Sequence, residues 1–125
     1  MNVIDSSAWL EYFANGPNAS FFARAIEQTD DLVVPSLTLY EVFKKVLQQT
    51  DEGHALQVVA VMQQGTVVDL DARLALDAAR ISIKQKLPMA DSIILAAAQS
   101  CEATLWTQDE DFKNIPGVQF RGKRP

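Results

Sequence analysis

The chain has 125 residues and a mass of 13.8 kDa, a length typical of one domain, which we place at residues 1–125. Its hydrophobic fraction of 48% and charged fraction of 22% argue against disorder. Cys101 is the only cysteine, so a disulfide-stapled secreted scaffold is excluded. The first residues lack a signal-peptide pattern, and the longest apolar run, Ile93 to Ala98, is too short to cross a bilayer. We therefore expect a cytoplasmic protein without a membrane partner.

The net charge is −5, from eleven basic and sixteen acidic residues. By itself this charge argues against a nucleic-acid partner. The objection weakens if several acids share one metal site, because bound divalent ions reverse the local sign of the charge. The positions of the acids therefore carry more information than their number.

Strands and helices alternate along the chain. In chain order, the patterns predict a strand at 2–4, helices at 6–14 and 19–28, a strand at 32–34, helices at 36–47 and 53–65, a strand at 66–70, helices at 72–86 and 91–100, a strand at 104–106 and an edge strand at 118–120. The helix at 91–100 is apolar almost all round, so we expect it to be central and buried. This alternation is typical of an α/β fold with a mostly parallel sheet between helices.

Acidic residues follow the predicted strands. Asp5 comes directly after the first strand, and Asp109 shortly after the fourth. Glu41 lies on the helix that follows the second strand, and Asp91 begins the buried helix. Because α/β sheets bind ligands beyond the carboxyl ends of their strands, these four acids are candidates for one site.

Clustered, half-buried carboxylates repel one another and either take up protons or bind a cation. The chain has a single histidine, His54, and a single cysteine, which does not support a zinc site of nitrogen and sulfur ligands. Oxygen ligands alone favour Mg²⁺ or Mn²⁺. The chemistry that fits is metal-assisted phosphodiester hydrolysis, in which ions activate a water and stabilise charge on the phosphate.

Four segments carry a resemblance to a known family. Residues 3–10 (VIDSSAWL) and 36–42 (SLTLYEV) resemble the first two motifs of the PIN-domain ribonucleases. Residues 90–98 (ADSIILAAA) and 105–112 (LWTQDEDF) resemble the last two. The motifs occur in family order and spacing, and the resemblance runs from Val3 to Phe120. A chain this short is most similar to the VapC-type toxins of toxin–antitoxin pairs.

The resemblance implies a PIN-like three-layer α/β/α sandwich that cuts RNA at a Mg²⁺- or Mn²⁺-dependent site. The positions that match the family's catalytic, metal-binding acids are Asp5, Glu41, Asp91 and Asp109. Ser6 and Thr107 match hydroxyl positions that orient a carboxylate or a water. Asp111 crowds the fourth motif and could share or replace the role of Asp109.

The same resemblance implies partners: a tRNA or ribosomal RNA substrate, a cognate antitoxin and a second copy of the chain. The first helix would contribute to the antitoxin groove, which makes Trp9, Tyr12 and Phe13 interface candidates, although most aromatic residues simply form core. Candidates for contact with the RNA backbone are Lys84, Lys86, Lys113, Arg121, Lys123 and Arg124. A frayed, solvated tail is the alternative for the last three.

Other interpretations stay open. A receiver-type phospho-acceptor domain would need paired aspartates early in the chain, whereas Asp5 stands alone. A PIN fold could also bind RNA or protein without cutting, or process RNA as a housekeeping nuclease without an antitoxin. If the chain is a nuclease, attack by water is expected and leaves 5′-phosphate and 3′-hydroxyl ends, since His54 matches no site position.

Overall fold

The computed structural model describes all 125 residues, arranged as five strands, six α-helices and two short 3₁₀ turns. In chain order these are β1 (Asn2–Ile4), α1 (Ser6–Phe13), α2 (Ala19–Glu27), a 3₁₀ turn (Thr29–Asp31), β2 (Leu32–Pro35), α3 (Ser36–Gln49), α4 (Glu52–Met62), β3 (Thr66–Val68), α5 (Ala72–Gln85), α6 (Met89–Ser100), β4 (Thr104–Thr107), a second 3₁₀ turn (Glu110–Phe112) and β5 (Val118–Phe120). The predicted order of elements is confirmed, with ten of their 22 ends shifted by one to three residues.

The strands form one sheet of order β3-β2-β1-β4-β5, and every pairing is parallel. At the centre, Val3 of β1 pairs with Val33 of β2 and Leu105 of β4. Parallel neighbours require crossover connections, so the carboxyl ends of all strands share one edge. Helices supply the connections from β1 to β4, whereas β4 and β5 are joined by a loop that contains only the second 3₁₀ turn. The expected three-layer α/β/α sandwich is confirmed.

Successive residues of the central strands feed hydrophobic cores on opposite faces of the sheet, because side chains alternate along a strand. Ile4 and Val34 belong to the larger core, which α1, α2, α3 and α4 cover. Val3 and Val33 belong to a second core with Ile94 of α6. A third core joins α5 to α6 on that same side.

Helix α6 is the buried helix that the sequence predicts. All side chains from Ser92 to Ala98 are buried, and three consecutive alanines at 96–98 let neighbouring elements approach closely. Asp91 lies in the first turn of α6. None of the helices is both long enough and apolar enough to span a membrane.

Candidate active site

The sheet brings its first and fourth strands side by side, and with them the acids that follow. Asp5 is the first residue after β1, and Asp109 lies two residues after β4. Ile4 pairs with Trp106, so Asp5 and Thr107 are adjacent at the carboxyl edge of the sheet. The topology therefore places these acids at the edge where α/β sheets bind ligands.

Asp5 is a buried carboxylate, only 3% exposed, and is held by two hydroxyls. Ser7 Oγ and Thr107 Oγ1 both donate to Asp5 Oδ2, at 2.7 and 2.9 Å. Burial raises the pKa of Asp5, whereas the two hydrogen bonds lower it and the charges of Asp109 and Glu41 raise it further. Asp5 is thus a carboxylate whose position is fixed and whose charge lacks a compensating cation.

Asp91, Asp109 and Asp111 form a tight carboxylate group. One oxygen from each lies within 4.8 Å of the others, and the donor set contains no histidine or cysteine. The pKa of Asp91 is raised to about 8, first by burial, then by a hydrogen bond with Asp111, and then by the charges of Asp109, Asp5 and Asp111. A hard divalent cation prefers such a set of oxygen ligands. Its charge would also offset the repulsion between carboxylates that contributes to the raised pKa of Asp91.

The turn after β4 explains why Asp111 joins the group. The backbone N–H of Asp111 donates to Asp109 Oδ1 at 2.9 Å, which closes the 3₁₀ turn. The backbone N–H of Asp109 in turn donates to Thr107 Oγ1 at 3.0 Å. The sequence left open whether Asp111 shares the role of Asp109, and the structure brings both to the same group.

Glu41 lies beside Asp5 but outside the group of three carboxylates. It is half-buried on α3, and Ser6 Oγ donates to its Oε1 atom at 2.7 Å. The Oε2 atom of Glu41 has no protein partner and is free to meet a ligand. The carboxylate that Ser6 contacts is therefore Glu41.

Three polar residues of the site have no place in the sequence prediction: Ser7, Asn18 and Gln108. Ser7 supplies the shorter hydrogen bond to Asp5. Gln108 is buried and accepts a 3.0 Å hydrogen bond from Asn18, whose side chain is fully buried. An Asp-x-Ser pattern at a helix start could have indicated Ser7. No local signal marks Asn18, because its partners lie about a hundred residues away.

The three aromatic interface candidates divide into one core residue and two surface residues. Trp9 is fully buried and stacks on Phe13 with ring centroids 5.7 Å apart, so its side chain cannot reach a partner at the surface. Phe13 and Tyr12 remain partly exposed, and the Tyr12 hydroxyl donates to Glu27 Oε2 at 3.1 Å. Only Tyr12 and Phe13 therefore stay candidates for an interface.

The basic candidates also divide. All six are exposed, but Lys84, Lys86, Lys113 and Arg124 border neither of the two cavities beside the acids. The guanidinium of Arg121 lies over the Phe21 ring at 4.2 Å. Lys123 alone among the six borders both cavities. His54 is exposed and also borders the larger cavity.

Comparison with known proteins gives one family match. The model of the PIN domain family matches residues 3–118. No curated protein sequence matches the chain.

Solved structures of similar fold cover nearly the whole chain. A toxin–antitoxin complex from Klebsiella pneumoniae contains a chain that is 22% identical, with a TM-score of 0.80 and coverage of 95% of this chain and 96% of that one. DNA-bound VapBC from Salmonella typhimurium gives 19% identity, a TM-score of 0.74 and coverage of 97% and 96%. VapC20 of Mycobacterium tuberculosis, a toxin that cleaves the sarcin–ricin loop, gives 14% identity, a TM-score of 0.72 and coverage of 90% of this chain and 92% of that one. With the fold, the acidic edge and the family match in agreement, this chain belongs to the PIN domain family.

Proposed function

We propose that the protein is a divalent-metal-dependent endoribonuclease that acts as the toxin of a toxin–antitoxin pair. The observation that carries the proposal is the set of carboxylates at one sheet edge, with raised pKa values at Asp5 and Asp91. Membership of the PIN domain family and the fold shared with VapC-type proteins support the same activity. We treat residues 1–125 as one nuclease domain.

Asp91, Asp109 and Asp111 would hold the cation, with Asp5 and Glu41 on the adjoining wall of the site. Their oxygen-only donor set favours Mg²⁺ or Mn²⁺ over zinc. A bound ion would supply activation of a water for attack on phosphorus and stabilisation of the negative charge on the phosphate and the leaving oxygen.

The chain's own side chains fix the geometry in which that reaction takes place. Ser7 and Thr107 hold Asp5 through its Oδ2 atom, and Ser6 holds Glu41 through its Oε1 atom. The remaining oxygen of Glu41 is available to accept a proton or a hydrogen bond from water or the ribose. Because each orienting hydroxyl is already engaged, little reorganisation is needed when substrate binds.

The partners follow from the proteins that share the fold. The Klebsiella and Salmonella structures are toxin–antitoxin assemblies, and the Mycobacterium protein cleaves the sarcin–ricin loop. We infer a structured RNA substrate, ribosomal or transfer RNA, and a cognate antitoxin that contacts the surface around Tyr12 and Phe13. A homodimer acting in the cytoplasm completes the proposal.

The test is cleavage of total cellular RNA by purified protein, with and without Mg²⁺ or Mn²⁺. Asp5→Asn serves as the matched inactive variant, since it keeps the shape of the buried side chain. We expect discrete products with 5′-phosphate ends that require the ion and disappear in the variant. Cyclic-phosphate ends would refute attack by water. Absence of cleavage by ion-loaded wild type would leave a binding module whose acids hold a structural ion.

A further inference from the structure

A groove of about 630 Å³ opens from the acidic site and runs between α1 and α3. Ser6, Ser7 and Glu41 line the end beside the acids. Gln49 and His54 line the part formed by the end of α3 and the start of α4. The groove thus extends the candidate active site along one side and ends among polar side chains.

The groove contains two lysines, Lys45 of α3 and Lys123 of the C-terminal tail. The ammonium nitrogen of neither lysine lies within 4 Å of a carboxylate oxygen. The only ion pair of the structure joins Arg80 and Asp77. Lys44, the neighbour of Lys45, instead lies over the ring of Tyr40, at 5.7 Å, and does not border the groove. Two unpaired ammonium groups beside an acidic site can bind anions such as phosphates.

A second cavity of about 310 Å³ continues the groove on the other side of Ser7. It shares Ser7, Gln108 and Lys123 with the groove and reaches Asp109 and Glu110. The two cavities therefore form a path that passes the hydroxyl holding Asp5. Lys123 is the only cation that borders both parts of this path.

The tail that carries Lys123 is anchored to the domain. Asn18 Nδ2 donates to the carbonyl oxygen of Gly122 at 2.9 Å and to Gln108 Oε1 at 3.0 Å. The backbone N–H of Arg121 donates to the carbonyl oxygen of Thr107 at 3.1 Å. Lys123 follows directly on these bonds, so its backbone is held at the rim of the path.

We propose that the groove between α1 and α3 binds the phosphate backbone of the RNA strand next to the cleaved bond, with Lys45 and Lys123 as the phosphate contacts. The inference rests on the proposed function, which places the reacting phosphate beside the carboxylates. Cavity space extends from the shared residue Ser7 towards Lys45 in one part and towards Glu110 in the other, as a continuous strand requires. Asn18 is a positioning residue that keeps Lys123 at the path.

Lys45→Ala and Lys123→Ala test the proposal, with Lys44→Ala and Arg24→Ala as controls that remove the same charge outside the groove. All four side chains are exposed, so the fold should survive. Each groove variant should raise KM about fivefold and change kcat by less than about twofold. A plot of log affinity for RNA against log salt concentration should become less steep, its slope changing by about 0.7 for each phosphate contact that is lost. The controls should retain wild-type values of KM and salt dependence.

Binding of a short fluorescent RNA without divalent ion separates this inference from the nuclease activity. Weaker binding by the two groove variants alone would support the subsite even if the wild type failed to cleave. Conversely, cleavage with unchanged KM and salt dependence in both groove variants would overturn the subsite, leave the nuclease intact and assign the groove to a protein ligand. A wild type that neither cleaves nor binds RNA would overturn both proposals.

Discussion

The hydroxyl of Thr107 donates a 2.9 Å hydrogen bond to Asp5 although 102 positions separate them in the chain. Pairing of β1 with β4 brings the two residues together at the edge of the sheet. The same hydroxyl accepts the backbone N–H of Asp109 at 3.0 Å. One buried side chain therefore fixes the carboxylate that follows β1 relative to the acidic turn after β4.

Thr107→Val should impair catalysis more than stability. Valine keeps the shape of the side chain but removes the donor to Asp5 and the acceptor for Asp109, so both acids lose a fixed position. Loss of a bond that orients a metal ligand typically costs about 10- to 100-fold in metal affinity or activity. Initial rates of RNA cleavage over a range of Mn²⁺ concentrations measure the effect.

Two variants provide controls for this experiment. Thr107→Ser keeps the hydroxyl and should recover most of the activity. Thr104→Val makes the same exchange at the other end of the same strand, at a partly buried residue away from the acids, and should resemble the wild type. Equal losses in Thr104→Val and Thr107→Val would show that the strand, not the hydrogen bonds, is responsible.

Asp111→Asn should weaken binding of the divalent ion by about tenfold, because it removes a charge from the group of three carboxylates. Glu110→Gln changes the neighbouring acid, which lies outside that group, and should bind the ion normally. Titration calorimetry with Mn²⁺ distinguishes the two variants. Normal ion affinity in Asp111→Asn would leave Asp109 as the only necessary acid of this turn.

The metal-free protein should lose stability as the pH rises from about 4 to about 8. The pKa of Asp91 is about 8 in the folded protein, against 3.8 as its ordinary value, so the folded state binds this proton more tightly. The tighter proton binding stabilises the folded state fully below a pH of about 3.8. This stabilisation is lost as the pH rises through the pKa of about 8 that Asp91 has in the folded protein. Thermal unfolding in the presence of a chelator measures it.

Asp91→Asn removes the titrating carboxyl and should flatten this part of the pH profile. Divalent ion at about 100 times its Kd should stabilise the wild type by about 2.7 kcal/mol near pH 8, and far less near pH 5, where protons compete. An identical pH slope in wild type and Asp91→Asn would assign the titration to another group.

Asn18→Ala should release the C-terminal tail. It leaves Gln108 Oε1 and the Gly122 carbonyl without their donor, at a cost of about 1–3 kcal/mol in unfolding free energy. If Asn18 acts on RNA through Lys123, its variant should raise KM, and Asn18→Ala combined with Lys123→Ala should raise KM no further than either alone. Additive effects on KM in this double-mutant cycle would contradict the coupling.

The sequence alone determined the order of elements and the edge at which the acids meet. Hydrophobic periodicity distinguishes the short apolar strands from the amphipathic helices, and the helices between successive strands from β1 to β4 favour a parallel sheet. Asp5 directly follows β1 and Asp109 lies two residues after β4, so their place at the carboxyl edge depends only on chain connectivity. The burial of α6 likewise follows from its lack of a polar face.

Only the tertiary structure decided which side chains touch. Ser6 and Ser7 are adjacent in sequence, yet they hold different carboxylates, because successive helical positions point in directions about 100° apart. The entry of Asp111 into the carboxylate group depends on a 3₁₀ turn closed by Asp109. The burial of Trp9 and the bond from Asn18 to Gly122 depend on packing between distant segments. Apart from the Asp-x-Ser pattern that could have indicated Ser7, such contacts leave no local signal in the chain, because their partners are distant in sequence.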